Sequence, residues 1–214
     1  MDEDLSIINS NTRNEKIKNF FVNNKNKIMS GIIVLIIIII AVFSYDKYLI
    51  GKKKEISDKF NSITIDYSEN TKQKTINGLI EIVNKKDPTY SPLSLYFIID
   101  NNLVSDQAKV NSLFDTLIKD TSLDTEITNL IIYKKALYNS DSAQEGDLLN
   151  ILNPLINSKS VWKSHSLYLM AEYFYANSQK QKAKEFFEQI IALDNSNPDI
   201  RLQAEKRLNR DLSE

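Results

Sequence analysis

The most apolar stretch of the chain runs from Ile28 to Tyr45, where eighteen residues carry no charge and eight are isoleucine. A helix of this length is about 27 Å long, close to the roughly 30 Å core of a bilayer. Charged and aromatic residues stand on both sides of the stretch and can anchor its ends at the two interfaces. We therefore predict one transmembrane helix over residues 28–48. We expect it to stay uncleaved, because the apolar run is longer than the roughly 7–15 residues of a signal peptide.

Residues 1–27 form a short polar tail before this helix. Four apolar residues near its end, Ile17, Phe20, Phe21 and Val22, can share one helical face beside two lysines. A helix lying in the membrane interface and a partly disordered tail are equal alternatives for this segment. Five Lys or Arg residues lie near each end of the apolar stretch, so the positive-inside rule does not decide the orientation.

Beyond the span, residues 49–214 show helical periodicity almost throughout. Phe60, Ile63 and Tyr67 fall at helical spacing, which favours a helix that continues from the span. The alternation of Ile63, Ile65 and Tyr67 also permits a short strand, which we rank lower. Four glycines and four prolines in 214 residues are fewer than hairpin-rich β structure requires.

Between residues 76 and 157 the apolar positions predict a series of short amphipathic helices separated by polar turns. Ser91-Pro92 is expected to open one of them, because proline is favoured in the first turn, and this helix should end near Leu103. Ser105 and Ser122 are predicted to cap the next two helices. Short helices joined by short loops in antiparallel pairs are typical of an α-solenoid, so the predicted fold class is all-α.

The clearest motif lies in the last third of the chain. Tetratricopeptide repeats place small and large residues at fixed positions of a helix–turn–helix of about 34 residues. With Leu167 as the first anchor, the residues at the expected positions are Met170, Ala171, Phe174, Ala183, Phe187 and Ile190. The alanines let the two helices approach closely, and the phenylalanines fill the gaps above and below. A generic helical hairpin is the alternative.

Segments 91–120 and 123–157 have the length and helix count of such repeats without their alanine and phenylalanine marks. We therefore predict a tetratricopeptide-like α-solenoid of about four helical hairpins, of which one is well marked. Asn195 stands where the repeat usually has proline, and Pro198 is predicted to start a terminal helix instead. This helix, over residues 199–208, is expected to cap the solenoid with a polar outer face.

Charge and cysteine content argue against several classes of function. The net charge of the chain is −1, so there is no basic excess to neutralise phosphates, and we expect no nucleic-acid partner. The chain has no cysteine, which excludes disulfides, thiolate chemistry and cysteine-based zinc sites. A cysteine-free domain can fold on either side of a membrane, so the compartment stays open.

No catalytic constellation stands out. His165 is the only histidine, and its place near the start of a helix predicts an exposed surface residue. Acidic pairs such as Glu185 and Glu188 lie at helical spacing on a polar face, and there is no nucleophile elbow, phosphate loop or HExxH motif. We expect a protein that is not an enzyme and that has no cofactor, metal or small-molecule substrate.

Binding of another protein is the better hypothesis. In a tetratricopeptide hairpin the first helix lines the concave surface, and the register above places His165, Tyr168, Glu172 and Tyr175 there. Two tyrosines around a carboxylate suit an extended or helical peptide, because tyrosine offers a large contact area at low entropic cost. The alternative is that both tyrosines only pack against the preceding pair. Trp162 is expected to be a core anchor between pairs.

Four short motifs, in order along the chain, carry a resemblance to a known family. They are Asp87-Pro88-Thr89-Tyr90, Ser122-Leu123-Asp124, Leu152-Asn153-Pro154-Leu155 and Ser160-Val161-Trp162-Lys163-Ser164-His165. Together with a short tail, one span and a tetratricopeptide-like domain, they make residues 10–210 resemble the ancillary SecYEG translocon subunit, the YfgM-type protein of Gram-negative bacteria. The chain departs from that family in having Ile, Asn and Ser at most of the usual alanine positions.

The resemblance implies a single-pass protein of the bacterial inner membrane, with residues 1–27 in the cytoplasm and residues 49–214 in the periplasm. It also implies a role beside the SecYEG translocon, passing exported clients to periplasmic chaperones. The alternative is a tetratricopeptide scaffold of another envelope assembly, in cell division or outer-membrane biogenesis.

Overall fold

A computed structural model describes the backbone of residues 2–212 and the side chains of residues 13–212. Within these residues all regular secondary structure is helical, which confirms the all-α class. The α-helices are α1 (Asp2–Asn23), α2 (Lys25–Ile65), α3 (Lys72–Asn84), α4 (Tyr90–Asp100), α5 (Gln107–Asp120), α6 (Thr125–Asn139), α7 (Glu145–Ile156), α8 (Lys163–Ala176), α9 (Lys180–Ala192) and α10 (Pro198–Asp211). A 3₁₀ turn, Glu69–Thr71, precedes α3.

The chain divides into two compact units, residues 1–55 and residues 56–214. The first unit contains α1 and most of α2. The large side chains from Ile32 to Phe43 are 45–66% exposed, and the most apolar stretch of α2 has a mean hydropathy of 2.9. Among the described residues, α2 alone is long and apolar enough to cross a membrane. The tail before it is helical, as α1, and its place in the membrane interface stays a prediction.

The second unit begins with the last turns of α2. This helix runs to Ile65, so the helical alternative for this segment is confirmed and the strand alternative is wrong. Ile63 packs closely against α3 at Gly78, where an added Cβ would lie 2.5 Å from the Cδ1 atom of Ile63. A glycine at this position therefore allows the two helices to approach.

Two hydrophobic clusters form the core of the second unit. One is built mainly from α3, α4 and α5 and has Phe114 at its centre. The other is built from α6 to α10 and contains Phe174 and Phe187. Helix α6 contributes to both, with Ile131 in the first cluster and Ala136 in the second. It therefore ties the two halves of the unit together.

The helices pack mostly on their neighbours along the chain. Contacts join α3 to α4, α6 to α7, α8 to α9 and α9 to α10, while α8 also reaches α6 and α10. Ala171 and Ala183 are fully buried, and the side chains of Phe174 and Phe187 are at most 1% exposed. The α8–α9 pair is therefore packed as its sequence predicted. Neighbour-by-neighbour packing resembles a helical repeat. The tetratricopeptide assignment itself stays a prediction.

Three helices end in a left-handed residue that is not glycine. Lys86, Asn102 and Ser178 have φ of 57°, 48° and 60° and follow α3, α4 and α8. After α8, the amides of Ser178 and Gln179 donate to the carbonyls of Tyr175 and Phe174, at 3.0 and 2.8 Å. This pair of hydrogen bonds is the pattern that usually ends a helix at a glycine. Helix α8 therefore ends in a sharp turn although the residue there is a serine.

The predicted helix starts and ends need small corrections. Helix α4 stops at Asp100, and Leu103 lies buried beyond it. The cap of α5 is Asp106 rather than Ser105, because its carboxylate accepts a hydrogen bond from the amide of Lys109 at 3.2 Å. The cap position of α6 is taken by Asp124 instead of Ser122. Pro198 starts α10, as predicted.

Candidate protein-binding surface

The four predicted groove residues lie on α8 at positions that place them along one side of the helix. The structure brings Tyr168, Glu172 and Tyr175 together around an arginine of α10. His165 lies apart from them, in an aromatic cluster at the start of α8. All four side chains are partly buried.

Arg207 of α10 connects the two helices through Glu172. Its Nε atom donates to Oε1 of Glu172 at 2.7 Å, and its NH2 group donates to the other carboxylate oxygen. The guanidinium also lies over the ring of Tyr175, 4.8 Å from the centroid. Two parallel hydrogen bonds and a ring contact suit arginine, whose planar fork matches a carboxylate and stacks on aromatic faces. Helix α10 therefore covers this part of the predicted groove.

Tyr168 belongs to the same group. Its ring meets the buried ring of Phe187 edge to face, with centroids 5.5 Å apart. Its hydroxyl interacts with Glu172 and Arg207, and burial, followed by the negative charge of Glu172, raises its pKa. Tyr168 therefore packs against α9 of its own pair, whereas the packing alternative placed it against the preceding pair.

Hydrogen bonds around Arg207 shift its own pKa and that of Asp211. Hydrogen bonds to Glu172 and then Asp211 raise the pKa of Arg207. Hydrogen bonds from Arg210 and then Arg207 lower the pKa of Asp211 well below its usual range. Arg207 and Asp211 therefore stay ionised at every physiological pH.

His165 differs from its prediction, because it is half-buried instead of exposed. It lies 5.1 Å from the ring of Trp162 and 5.9 Å from that of Tyr133, centroid to centroid. Trp162 in turn stacks on Tyr133 of α6 at 5.6 Å, so it packs between α6 and α8. The Nδ1 atom of His165 is buried without a well-formed hydrogen bond. Burial lowers the pKa of His165, and the nearby backbone of Val161 offsets part of the effect.

The lowered pKa of His165 predicts a loss of stability in acid. The unfolded chain takes up this proton near pH 6.5, whereas the folded chain takes it up at a lower pH. Stability should therefore fall as pH drops through 6.5 and become independent of this group below its folded pKa. We expect the single histidine signal in an NMR titration of the full-length chain to have a midpoint below 6.5. His165→Gln should reduce the loss of stability on acidification, and a midpoint at or above 6.5 would contradict the assignment.

The side of the unit formed by α4, α6 and α8 has open clefts that α10 does not cover. One cleft, of about 390 Å³, lies between the end of α6 and the second half of α8, and Leu169, Glu172 and Tyr173 line it. A smaller cleft, of about 160 Å³, lies between α4 and α6 and is lined in part by Tyr96 and Leu137. Leu137 is 50% exposed at its edge, so an apolar contact is available there.

Tyr96 gives the smaller cleft its polar character. The ammonium of Lys134 lies 4.6 Å from the centroid of its ring, and its hydroxyl is buried without a hydrogen-bond partner. Burial raises the pKa of Tyr96 to about 12, so the hydroxyl keeps its proton at neutral pH. This cleft combines an aromatic wall with an exposed leucine, and aromatic side chains are enriched at protein interfaces.

Another cleft, of about 570 Å³, lies where α5, α6 and α7 meet and is lined mostly by polar residues. Its floor is Asn139, which is 6% exposed. The amide oxygen of Asn139 accepts from Gln107 at 2.9 Å and from Asn111 at 2.8 Å, and its amide nitrogen donates to Asn111 and to the carbonyl of Lys135. All four hydrogen-bonding positions of this side chain are therefore used inside the protein.

Sequence reasoning missed Arg207, Tyr96 and Leu137 as members of this surface. The helical spacing of α10 gave a signal for Arg207. It lies three residues after the buried Ala204, on the side of α10 that faces the rest of the second unit. Nothing in the local pattern indicates that its partner is Glu172, thirty-five residues earlier. No group of three potential metal-ligating side chains occurs in the part of the chain that the structure describes.

Comparison of the chain with protein-family models, with curated proteins and with solved structures finds no match.

Proposed function

We propose that this chain is a membrane-anchored, non-enzymatic module for binding other proteins. Two features of the chain carry the proposal. One is an exposed apolar helix that is long enough to span a bilayer. The other is the second unit, residues 56–214, which is a body of short packed helices. Bodies of this kind offer extended surfaces between helices, and such surfaces bind peptides and protein segments.

The open part of the surface is the better site for a partner. Tyr168, Glu172 and Tyr175 are engaged by α9 and α10, so a partner at these residues would first have to displace Arg207. The cleft between α4 and α6 contains none of these residues, and Leu137 offers exposed apolar area at its edge. We therefore place the binding site at this cleft and assign His165 to packing between α6 and α8.

The partner class follows from the family resemblance. We propose a single-pass protein of the bacterial inner membrane with a cytoplasmic N-terminus, whose helical body works in the periplasm. Its partners are then the SecYEG translocon and either exported clients or periplasmic chaperones. The motifs from Asp87 to His165 and the single span are the features that support this choice.

The topology is the first thing to test. Alkaline phosphatase, which is active only after export, is fused to Glu214 and assayed in intact cells. We expect strong activity, and a matched fusion to β-galactosidase, which is active only in the cytoplasm, should be inactive. An inactive phosphatase fusion that is intact on a blot would place the body in the cytoplasm and overturn the translocon proposal.

A photo-crosslinking pair then tests the binding site. Leu137 and Leu202 are both leucines and are 50% and 49% exposed, but only Leu137 lies at a cleft beside α6. A photoreactive phenylalanine analogue at Leu137 should crosslink to translocon subunits or chaperones, and the same analogue at Leu202 should not. Crosslinks to components of another envelope assembly would favour the scaffold alternative, and equal crosslinking at both positions would refute the placement of the site.

A further inference from the structure

The end of α1 carries a compact, exposed apolar patch. Ile17, Phe20 and Phe21 are 47%, 60% and 56% exposed. At about 100° per residue they fall within roughly one quarter of the helix circumference. The two phenylalanine rings also contact each other edge to face, with centroids 5.9 Å apart. Val22 lies about 140° from Ile17 and is not part of this patch.

The charges around the patch are mostly positive. Residues 13–27 contain five basic side chains and one acidic side chain, Glu15. Lys16 and Lys18 lie on either side of the Ile17 direction, about 100° away in each case. Apolar residues on one face with flanking lysines form the pattern of a helix that lies in the interface of an anionic membrane.

The patch is also continuous with the apolar helix. The amide of Asn24 donates to the carbonyl of Phe20 at 3.0 Å, and the amide of Ile28 donates to the carbonyl of Asn24 at 2.9 Å. Helical hydrogen bonding therefore passes through Asn24, and the patch lies within eleven residues of the first apolar residue of α2. At about 1.5 Å per residue, a straight continuation of α2 would place the patch about 10–17 Å before Ile28, so the patch reaches the interface when the chain bends at Asn24, the one residue between α1 and α2.

We propose that residues 13–27 form an interfacial anchor, in which Ile17, Phe20 and Phe21 insert among lipid headgroups while the lysines bind anionic phosphates. This inference rests on the proposed membrane anchoring by α2. Its consequence is a second contact with the bilayer on the N-terminal side of the span, which responds to the anionic lipid content of that leaflet.

The absence of cysteine from the chain makes a clean test possible. Single cysteines replace Phe21 on the patch, Asn19 about 160° from Ile17 on the same helix, and Ile36 within the span. Each full-length variant is labelled with an environment-sensitive fluorophore and reconstituted into vesicles of phosphatidylcholine and phosphatidylglycerol. Iodide quenching from the aqueous phase is then measured.

We expect the label at Phe21→Cys to be quenched several-fold less than the label at Asn19→Cys, and the label at Ile36→Cys to be the most protected. In vesicles of phosphatidylcholine alone, the difference between Phe21→Cys and Asn19→Cys should shrink. Equal quenching at residues 19 and 21, with Ile36→Cys protected, overturns the interfacial anchor and leaves the span intact. Loss of protection at Ile36→Cys overturns the membrane anchoring itself.

Discussion

Phe187→Ala should lower the free energy of unfolding of the helical body by about 3–5 kcal/mol, the usual result of truncating a fully buried aromatic side chain. Phe187 is completely buried between α8 and α9 and contacts Tyr168. For a body of this size the loss corresponds to a fall of roughly 6–20 °C in the melting temperature. The fluorescence of Trp162, the single tryptophan of the chain, reports the transition in detergent-solubilised protein.

Phe186→Ala is the matched control for this prediction. Phe186 is the preceding residue on the same helix and is also aromatic, but it is only partly buried. Its truncation should therefore cost clearly less than that of Phe187. Equal losses for the two variants would contradict the assignment of Phe187 as the more deeply buried of the two rings.

Arg207→Ala should loosen α10 from the rest of the body. The only fully buried residue of α10 is Ala204, so the contacts of Arg207 with Glu172 and Tyr175 of α8 contribute much to the attachment of α10. The side chains of Arg207 and Glu172 are 24% and 28% exposed, between the exposed and the buried class of ion pair. We expect a cost of about 1–2 kcal/mol. Hydrogen exchange of the amides in residues 200–210 should then accelerate by roughly tenfold.

Arg210→Ala provides the comparison, because Arg210 pairs with the same Asp211 from a position where 73% of its side chain is exposed. This variant should exchange almost like the unchanged protein. A double-mutant cycle of Arg207→Ala with Glu172→Ala measures the pair directly. A coupling energy near zero would refute the view that this contact holds α10 in place.

Patterns with a short period were enough to predict much of the fold. The long apolar helix α2 followed from eighteen uncharged residues, and the α8–α9 pair followed from alternating small and large positions such as Ala171 and Phe174. These signals are local, since they depend on residues a few positions apart on one helix. The caps were missed by one or two residues, because serine and aspartate compete for the same role and both precede α5 and α6.

The surface of α8 could not be predicted in the same way. Glu172 meets Arg207 across thirty-five residues, and Tyr133 meets Trp162 across twenty-nine. The sequence pattern of α8 is the same whether its outer side is open or covered by α10. For the same reason His165 was expected to be exposed, although Tyr133 and Trp162 shield it.

The Asn139 network has a consequence for how the helices find their alignment. If α6 slid along α5 by one turn, the amide of Asn139 would lose its hydrogen bonds to Gln107 and Asn111. Burying an amide with unmet hydrogen bonds is costly. Misaligned arrangements of α5 and α6 are therefore penalised in a way that apolar contacts alone do not achieve. The hydrogen bonds of Asn139 thus favour a single register of α6 on α5.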